Sequence, residues 1–432
     1  MPTSPSSASP LPADTSLLDR RRHVLGRHSP LFYDRPLHVR RAEGVWIEDT
    51  DGRRYLDVYN NVPHVGHCHP HVVEALCRQA SQLNIHTRYL HEAVVEYAER
   101  LVATFDAPLS MAMLTCTGSE ANELALRIAR FVTGGQGIIV SSFSYHGNTA
   151  GLAAATTGLP APEALAPHVR AVEIPDLTHW QGEPAALAAR FAEQVADAVR
   201  SLQADGIRPA AMLFDTLFST EGLPAVPKGA LEQAVAIVRQ AGGLFIADEV
   251  QPGLGRTGDH MWGYQAYDLV PDIVTMGKPL GNGHPLAGLV TRPDHVDAFG
   301  SKALYFNTFA GNPVSSAVGS AVLDVIEGED LQGNARRVGA HIQAGLQRLA
   351  SRHDLIASLR GRGLFFGLEL MRDGRPAAGE ARRLINDMRD RGVLISRIGP
   401  QDNILKMRPP MPFSIADADL LLSTLDSALS DL

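Results

Sequence analysis

The sequence predicts an α/β protein with a mostly parallel sheet and a smaller α+β part, and three observations carry that expectation. Continuous apolar runs, such as Gly137-Ile138-Ile139-Val140, Ala210-Ala211-Met212-Leu213-Phe214, Leu244-Phe245-Ile246-Ala247 and Ile273-Val274-Thr275-Met276, alternate with helical segments. Strands that are apolar throughout, not alternating, are buried on both faces, as parallel strands under helices are. From about residue 318 the pattern changes to two helices and then short strands. The chain ends both carry strand-like segments outside the main run, so they are expected to pair.

Taken in order, residues 1–16 are rich in Ser, Pro and Ala and lack a basic start and an apolar core. They read as the beginning of a disordered or extended tail over 1–30, not as a secretory signal. Residues 31–75 are expected to belong to the small domain, 76–317 to form the large domain, and 318–432 to complete the small one. The segment VWIEDTDGRRYLDV around Asp51-Gly52 predicts a hairpin, and a helix is expected to open near Pro70. Helical spacing marks EAVVEYAERLVATF from residue 92, ELALRIARFVTG ending at Gly134, the segment 184–204, and LEQAVAIVRQAGG.

Composition bounds the function. The 432 residues are 45% hydrophobic and 20% charged, with a formal net charge of −8. That describes a globular chain with a sizeable core and argues against a nucleic-acid footprint. Three cysteines without CxxC spacing predict reduced thiols and a cytoplasmic setting. No apolar run approaches the 18 residues a membrane span needs.

Several residues fall at or just after expected strand ends, where ligands of parallel sheets bind. Asp248 ends one apolar run and Lys278 follows another. A carboxylate and a lysine so placed are what pyridoxal phosphate (PLP) requires: an amine to form a Schiff base, and an acid to keep the pyridine nitrogen protonated. An unrelated exposed lysine and strand-end aspartate give the same local pattern. Thr117-Gly118-Ser119-Glu120 opens a helix after a strand, the arrangement that binds phosphate, although Ser and Thr cap helices whatever they bind. Tyr145, in a loop after the next strand, is placed to lie against a cofactor ring. Asp215 ends a further strand.

Two motifs point elsewhere and are rejected. His67, Cys68, His69 and His71 have neither zincin nor ribbon spacing, so no metal is expected. Gly253-Leu254-Gly255-Arg256-Thr257-Gly258 spells GxGxxG, but Pro252 precedes it and no helical run follows, so nicotinamide binding is not expected.

Taken together, TGSEAN, YHG, IADEVQPGLGRTG, PDIVTMGKPLGNGHP and FNTFAGNP resemble the class III aminotransferase family of PLP enzymes, from about Pro36 to the C-terminus. The resemblance implies PLP fold type I with a seven-stranded-type sheet flanked by helices. It implies Lys278 as the Schiff-base lysine, Asp248 at the pyridine nitrogen, and Gly118 and Ser119 at the phosphate. It also implies Tyr145 and Val250 on the two ring faces, Gln251 near the ring hydroxyl, and Thr308 reaching the phosphate from a second subunit of a homodimer or tetramer. Phrases such as YNNVPHVGHCHPHVV and EDLQGNARRVG are most similar to the alanine–glyoxylate aminotransferase 2-like phospho-lyases and a related hydroxy-aminoethylphosphonate ammonia-lyase. Where ordinary members carry Glu-Pro, this chain has Asp215-Thr216. The expected activity is therefore elimination from a small amine bearing phosphate, phosphonate or hydroxyl, with transamination to a small oxo-acid as the alternative. Arg408 and Asn61 are the implied substrate contacts, with Arg397 and Arg88 as weaker candidates. A PLP-fold protein without catalysis is a third reading, against which Lys278 and Asp248 count.

Overall fold

The computed structural model describes residues 15–160 and 162–432. The central element is a seven-stranded sheet whose strands, in chain order, are β1 (Met111–Thr115), β2 (Gly137–Ser141), β3 (Val169–Val172), β4 (Pro209–Asp215), β5 (Leu244–Asp248), β6 (Ile273–Met276) and β7 (Ala287–Thr291). They lie in the order β1-β7-β6-β5-β4-β2-β3. Strands β3, β2, β4, β5 and β6 run parallel, and β7 alone is reversed between β6 and β1. Every residue of β2, β4, β6 and β7 is buried, which is why their sequences are apolar runs without alternation.

The sheet separates two apolar layers. One, containing Leu124, Ile128, Ile138 and Leu213, lies under the helix Gly118–Thr133. The other, much larger, takes in Phe191, Phe214 and Trp262 and continues through Leu323 and Leu368 to the C-terminal helix Ile415–Ser430. Gly134 closes the Gly118–Thr133 helix in the left-handed conformation (φ 64°) that glycine adopts without strain.

Two smaller sheets flank this body. Val39–Glu43, Trp46–Asp49 and Arg54–Asp57 form an antiparallel meander, and Val393–Leu394 adds to it in parallel. The two ends of the chain are thereby tied together. Its hairpin turns where Asp49 Oδ1 accepts from the Asp51 and Arg53 amides (3.0 and 2.9 Å), with Gly52 at φ 82°. The other sheet orders Ile356–Arg362, Phe365–Arg372, Ile404–Met407 and Ser396–Ile398.

Some expectations need correction. The tail expected over 1–30 lies outside the described residues through residue 14, but Leu17–Leu25 is a helix. Ser16 caps it by accepting from the Asp19 amide, a local signal that overall composition conceals. The expected domain breaks at 75/76 and 317/318 fall inside the helices Pro70–Ala80 and Pro313–Gly328, which pack on one another. Strands β3 and β7 do not announce themselves in the sequence; one is only four residues long and contains Arg170, the other is masked by a Gly-Pro-rich approach. Among the described residues no helix is long and apolar enough to cross a membrane.

Candidate active site

Asp215 and Asp248 are paired residues at the carboxyl ends of adjacent strands β4 and β5, and Lys278 follows the next strand, β6. This topology brings the expected residues into one cleft, lined by Gly118, Ser119, Tyr145, Val250, Gln251 and Lys278 with both aspartates. Wider hollows lie elsewhere, one lined by Asp106, Glu232 and Tyr267.

Asp248 is fully held. Its Oδ2 accepts from Asn122 Nδ2 (2.9 Å) and contacts His146 Nδ1 (2.7 Å), and its Oδ1 accepts from the Val250 amide (3.1 Å). Burial alone raises the carboxyl pKa, but the His146 hydrogen bond and charge, with Asn122 and the amide, outweigh it and hold the group below its ordinary value. Asn122 is itself fixed, because Thr275 Oγ1 donates to its Oδ1 (2.6 Å). The neighbouring Asp215 is shifted the other way. Burial and the Asp248 charge raise it, although its oxygens accept from the Leu217 and Ser219 amides (2.8 and 3.3 Å). Two adjacent carboxylates are thus pushed apart, one held ionised and one drawn toward its protonated form.

Lys278 is open to the cleft but surrounded by protein on its other sides. Burial, then the charge of Arg408, lowers its pKa, against the opposing pull of Asp248 and Asp215.

The start of the Gly118–Thr133 helix is both capped and available. Thr117 Oγ1 accepts from the Glu120 amide (3.1 Å), and Glu120 Oε2 accepts from the Thr117 and Cys116 amides (both 2.9 Å). The Gly118 and Ser119 amides have no acceptor among the described residues. They remain as free donors at the positive end of a sixteen-residue helix, the arrangement that binds phosphate. A Cβ on Gly118 would lie 3.0 Å from Val250 Cγ2, and one on Gly147 2.6 Å from Ser119 Oγ. At Gly147, where φ is 144° and the Ser119 backbone is also within 2.9 Å, only glycine lets the loop close against the helix start. The residues present therefore suit PLP: free amides for its phosphate, an ionised carboxylate for its ring nitrogen, an amine for its aldehyde, and Tyr145 and Val250 on the walls.

Arg408 is buried, 6% exposed, with its Nε donating to Tyr59 O (3.0 Å) and Nη1 to Gln251 Oε1. It forms no salt bridge among the described residues. The remaining candidates divide. Asn61 is buried with Nδ2 lacking a partner among the described residues. Arg397 pairs with Asp402 (2.5 Å), and Arg88 lies over the Phe306 ring at 3.7 Å. Thr308 is exposed and does not line the cleft of its own chain.

Residues not singled out from the sequence include His146, Asn122 and Lys406. The first two stand inside the motifs YHG and TGSEAN, so their signal was present but carried no partner. The GxGxxG loop stays in turns. Its Arg256 is fully buried, donating to Leu364 O (3.1 Å) and Pro409 O (2.8 Å), and it ties the Asp248 loop to the segment bearing Arg408. In the His/Cys segment, His67 contacts Asp57, His69 contacts Glu329 and His71 contacts Asp324.

Comparison with known proteins places these features in context. Residues 32–429 match the model of the family described as aminotransferase class-III. The chain is 38% identical to an alanine–glyoxylate aminotransferase 2-like protein of Drosophila melanogaster, covering 94% of this chain and 85% of that one. It is 33% identical to ethanolamine-phosphate phospho-lyase homolog 1 of Caenorhabditis elegans, covering 96% and 93%. Its structure superposes with a TM-score of 0.95 on a phospholyase from Arthrobacter in complex with phosphoethanolamine, at 52% identity over 96% of this chain and 100% of that one.

Proposed function

The chain belongs to the class III aminotransferase family of PLP-dependent enzymes, and within it we propose that this member is a lyase expelling phosphate from a small amine, with phosphoethanolamine as the leading substrate. The observation that carries the reading is Arg408, a buried guanidinium next to the cleft with no carboxylate partner among the described residues. The likeness to a phospholyase complexed with phosphoethanolamine supports phosphate as the anion it receives.

In this reading Lys278 would carry the cofactor aldehyde, Asp248 would meet its ring nitrogen, and the Gly118 and Ser119 amides would hold its phosphate. Tyr145, Val250 and Gln251 would line its ring. When bound, the cofactor supplies an electron sink for the carbon that bears the substrate amine. Asp248, kept ionised by His146 and Asn122, is the charge that sustains the sink. Lys278, whose pKa burial and then the Arg408 charge lower, would take the proton from that carbon. Arg408 orients the phosphate so that its C–O bond can break, and the electron pair leaves with the phosphate. The unsaturated amine that remains takes up water. The balance for phosphoethanolamine is one water consumed, with acetaldehyde, ammonia and phosphate released.

A homodimer completes the reading, with the partner subunit's Thr308 joining the phosphate donors. Supporting it, Thr308 lies beside Phe309 (71% exposed), near Leu304 (87%), and the loop at Leu90 (100%) is equally uncovered; large apolar side chains so exposed mark contact surfaces. The test of the activity is a purified enzyme loaded with PLP and given phosphoethanolamine without any oxo-acid. Equal amounts of acetaldehyde, ammonia and phosphate are expected. Product that forms only when pyruvate, glyoxylate or 2-oxoglutarate is supplied would instead identify a transaminase.

A further inference from the structure

We propose that Lys406 is a specificity-determining residue of this site, which together with Arg408 selects a tetrahedral dianion over a planar carboxylate. The inference rests on the lyase reading, in that it takes the substrate's anionic group to be held at Arg408.

Lys406 and Arg408 stand two residues apart at the end of the strand Ile404–Met407, a spacing that puts both side chains on one face. Both are buried, at 5% and 6% exposure. Lys406 Nζ donates to Gln251 Oε1 (3.2 Å) and Ser219 O (3.4 Å), and Arg408 Nη1 donates to the same Gln251 oxygen. Two basic side chains therefore converge on one neutral amide oxygen. Neither has a carboxylate within salt-bridge distance among the described residues. Of the nearby acids, Asp215 accepts from the Leu217 and Ser219 amides and Glu221 Oε1 from Ser141 Oγ, while Glu221 Oε2 has no partner among the described residues; both act on Lys406 by charge without touching it. The remaining walls are aromatic. Phe365 faces both cations (5.5 and 5.9 Å) and Tyr59 faces Arg408 (4.9 Å).

A buried charge without a counter-charge is costly. Burial, then the Arg408 charge, holds the lysine well below its ordinary pKa against the opposing charges of Asp215 and Glu221, and an arriving anion favours its charged form. The shape of that anion decides which residue matters. A carboxylate has two oxygens in one plane, and an arginine fork can satisfy both. A phosphate monoester or phosphonate has three terminal oxygens on a tetrahedron, so one lies off the fork. A compact ammonium with three donors suits that third oxygen. Charge points the same way: a phosphate group carries about −1.5 to −2 near neutral pH, matching two cations rather than one.

The test uses PLP-loaded wild type, Lys406→Met and Lys406→Arg, titrated calorimetrically with inorganic phosphate, methylphosphonate and acetate. Cofactor occupancy keeps the probes out of the cofactor's own phosphate site. Wild type is expected to bind phosphate and methylphosphonate at least about 10-fold more tightly than acetate. Lys406→Met should weaken those two by about 10- to 100-fold and leave acetate within about 3-fold, while Lys406→Arg keeps most of the preference. Phosphate binding unchanged in Lys406→Met, or phosphate and acetate weakened alike, would overturn the proposal. Should Lys406→Met not fold, the wild-type ratio and Lys406→Arg decide: a phosphate-to-acetate ratio near one overturns it. If the preference depends on Lys406 but wild type releases no phosphate from phosphoethanolamine without an acceptor, this assignment stands and the lyase reading falls.

Discussion

Two sets of buried ionisable groups flank the same cleft in opposite conditions. Asp248 on β5 has a partner for each oxygen, from Asn122, His146 and the Val250 amide, before any ligand arrives. Arg408 and Lys406, on the far side of Gln251, share a single neutral oxygen and have no counter-charge in contact among the described residues. The first arrangement fixes a charge that must persist through a reaction; the second leaves charge unbalanced for something to bind. On the reading proposed above, a satisfied buried ion marks the cofactor side of the cleft, and an unsatisfied one the side that receives substrate.

Substitutions on the two sides should therefore fail differently. The largest effect is expected from Lys278→Ala, which removes what the proposed function assigns as both the covalent anchor and the base. Turnover should fall by at least about 10⁴-fold, together with the visible absorption of the bound cofactor. Retained turnover there would sink the whole assignment. Asp248→Asn preserves shape but not charge, and kcat should drop by about 10²–10⁴-fold with little change in KM. Arg408→Met should do the reverse, raising KM for phosphoethanolamine by about 10- to 100-fold with a smaller loss of kcat. If both variants change the same parameter, the division between the two sides is wrong.

A finer comparison isolates His146, a positioning residue that acts through Asp248. His146→Ala should cost about 10-fold in kcat/KM. Because the His146 contact lowers the Asp248 pKa, its loss should move the acid limb of the rate profile to higher pH. A loss equal at every pH would mean that His146 serves only packing.

The smallest effect concerns stability. Burial, then the nearby Asp215 charge, pushes the Glu221 carboxyl up to about 7 from 4.5. A carboxyl raised in the folded state stays protonated there while the unfolded chain ionises, so its contribution is present at about pH 4.5 and lost as pH rises toward 7. Glu221→Gln should therefore melt with wild type near pH 4.5 and be more stable at pH 8, by about 1–3 kcal/mol. Thermal melts at the two pH values check it, and a difference that does not depend on pH would contradict it.

Much of this was legible in the sequence, for identifiable reasons. Strands β2, β4, β5 and β6 are buried on both faces and so read as apolar runs, and Asp248 and Lys278 stand out because each interrupts the end of one. Strand β3 contains Arg170 and spans four residues, too little for periodicity to register. His146 and Asn122 were hidden because their roles come from contacts with Asp248 across 102 and 126 residues of chain. Lys406 reads in one dimension as an ordinary surface lysine, and only the fold of the C-terminal sheet against the Gln251 loop buries it.

The segment that opens with the Asp215-Thr216 departure also acquires a physical meaning. Asp215 turns its carboxylate onto its own following amides, and Phe218 (φ 51°) and Leu223 (φ 59°) adopt the left-handed conformation that such side chains seldom take. A Cβ on Gly222 would meet Ile404 Cδ1 at 2.4 Å. This segment is thus folded tightly onto the strand that carries Lys406 and leads to Arg408, and Ser219 O is one of the two acceptors of Lys406.

The most direct measurement counts turnovers per active site with phosphoethanolamine and no oxo-acid. A transaminase must stop after one event, because its cofactor is left carrying the amine. A lyase of the kind proposed releases many phosphates and many ammonias per site, in equal number. One product per site, with turnover resumed only on adding an oxo-acid, would contradict it.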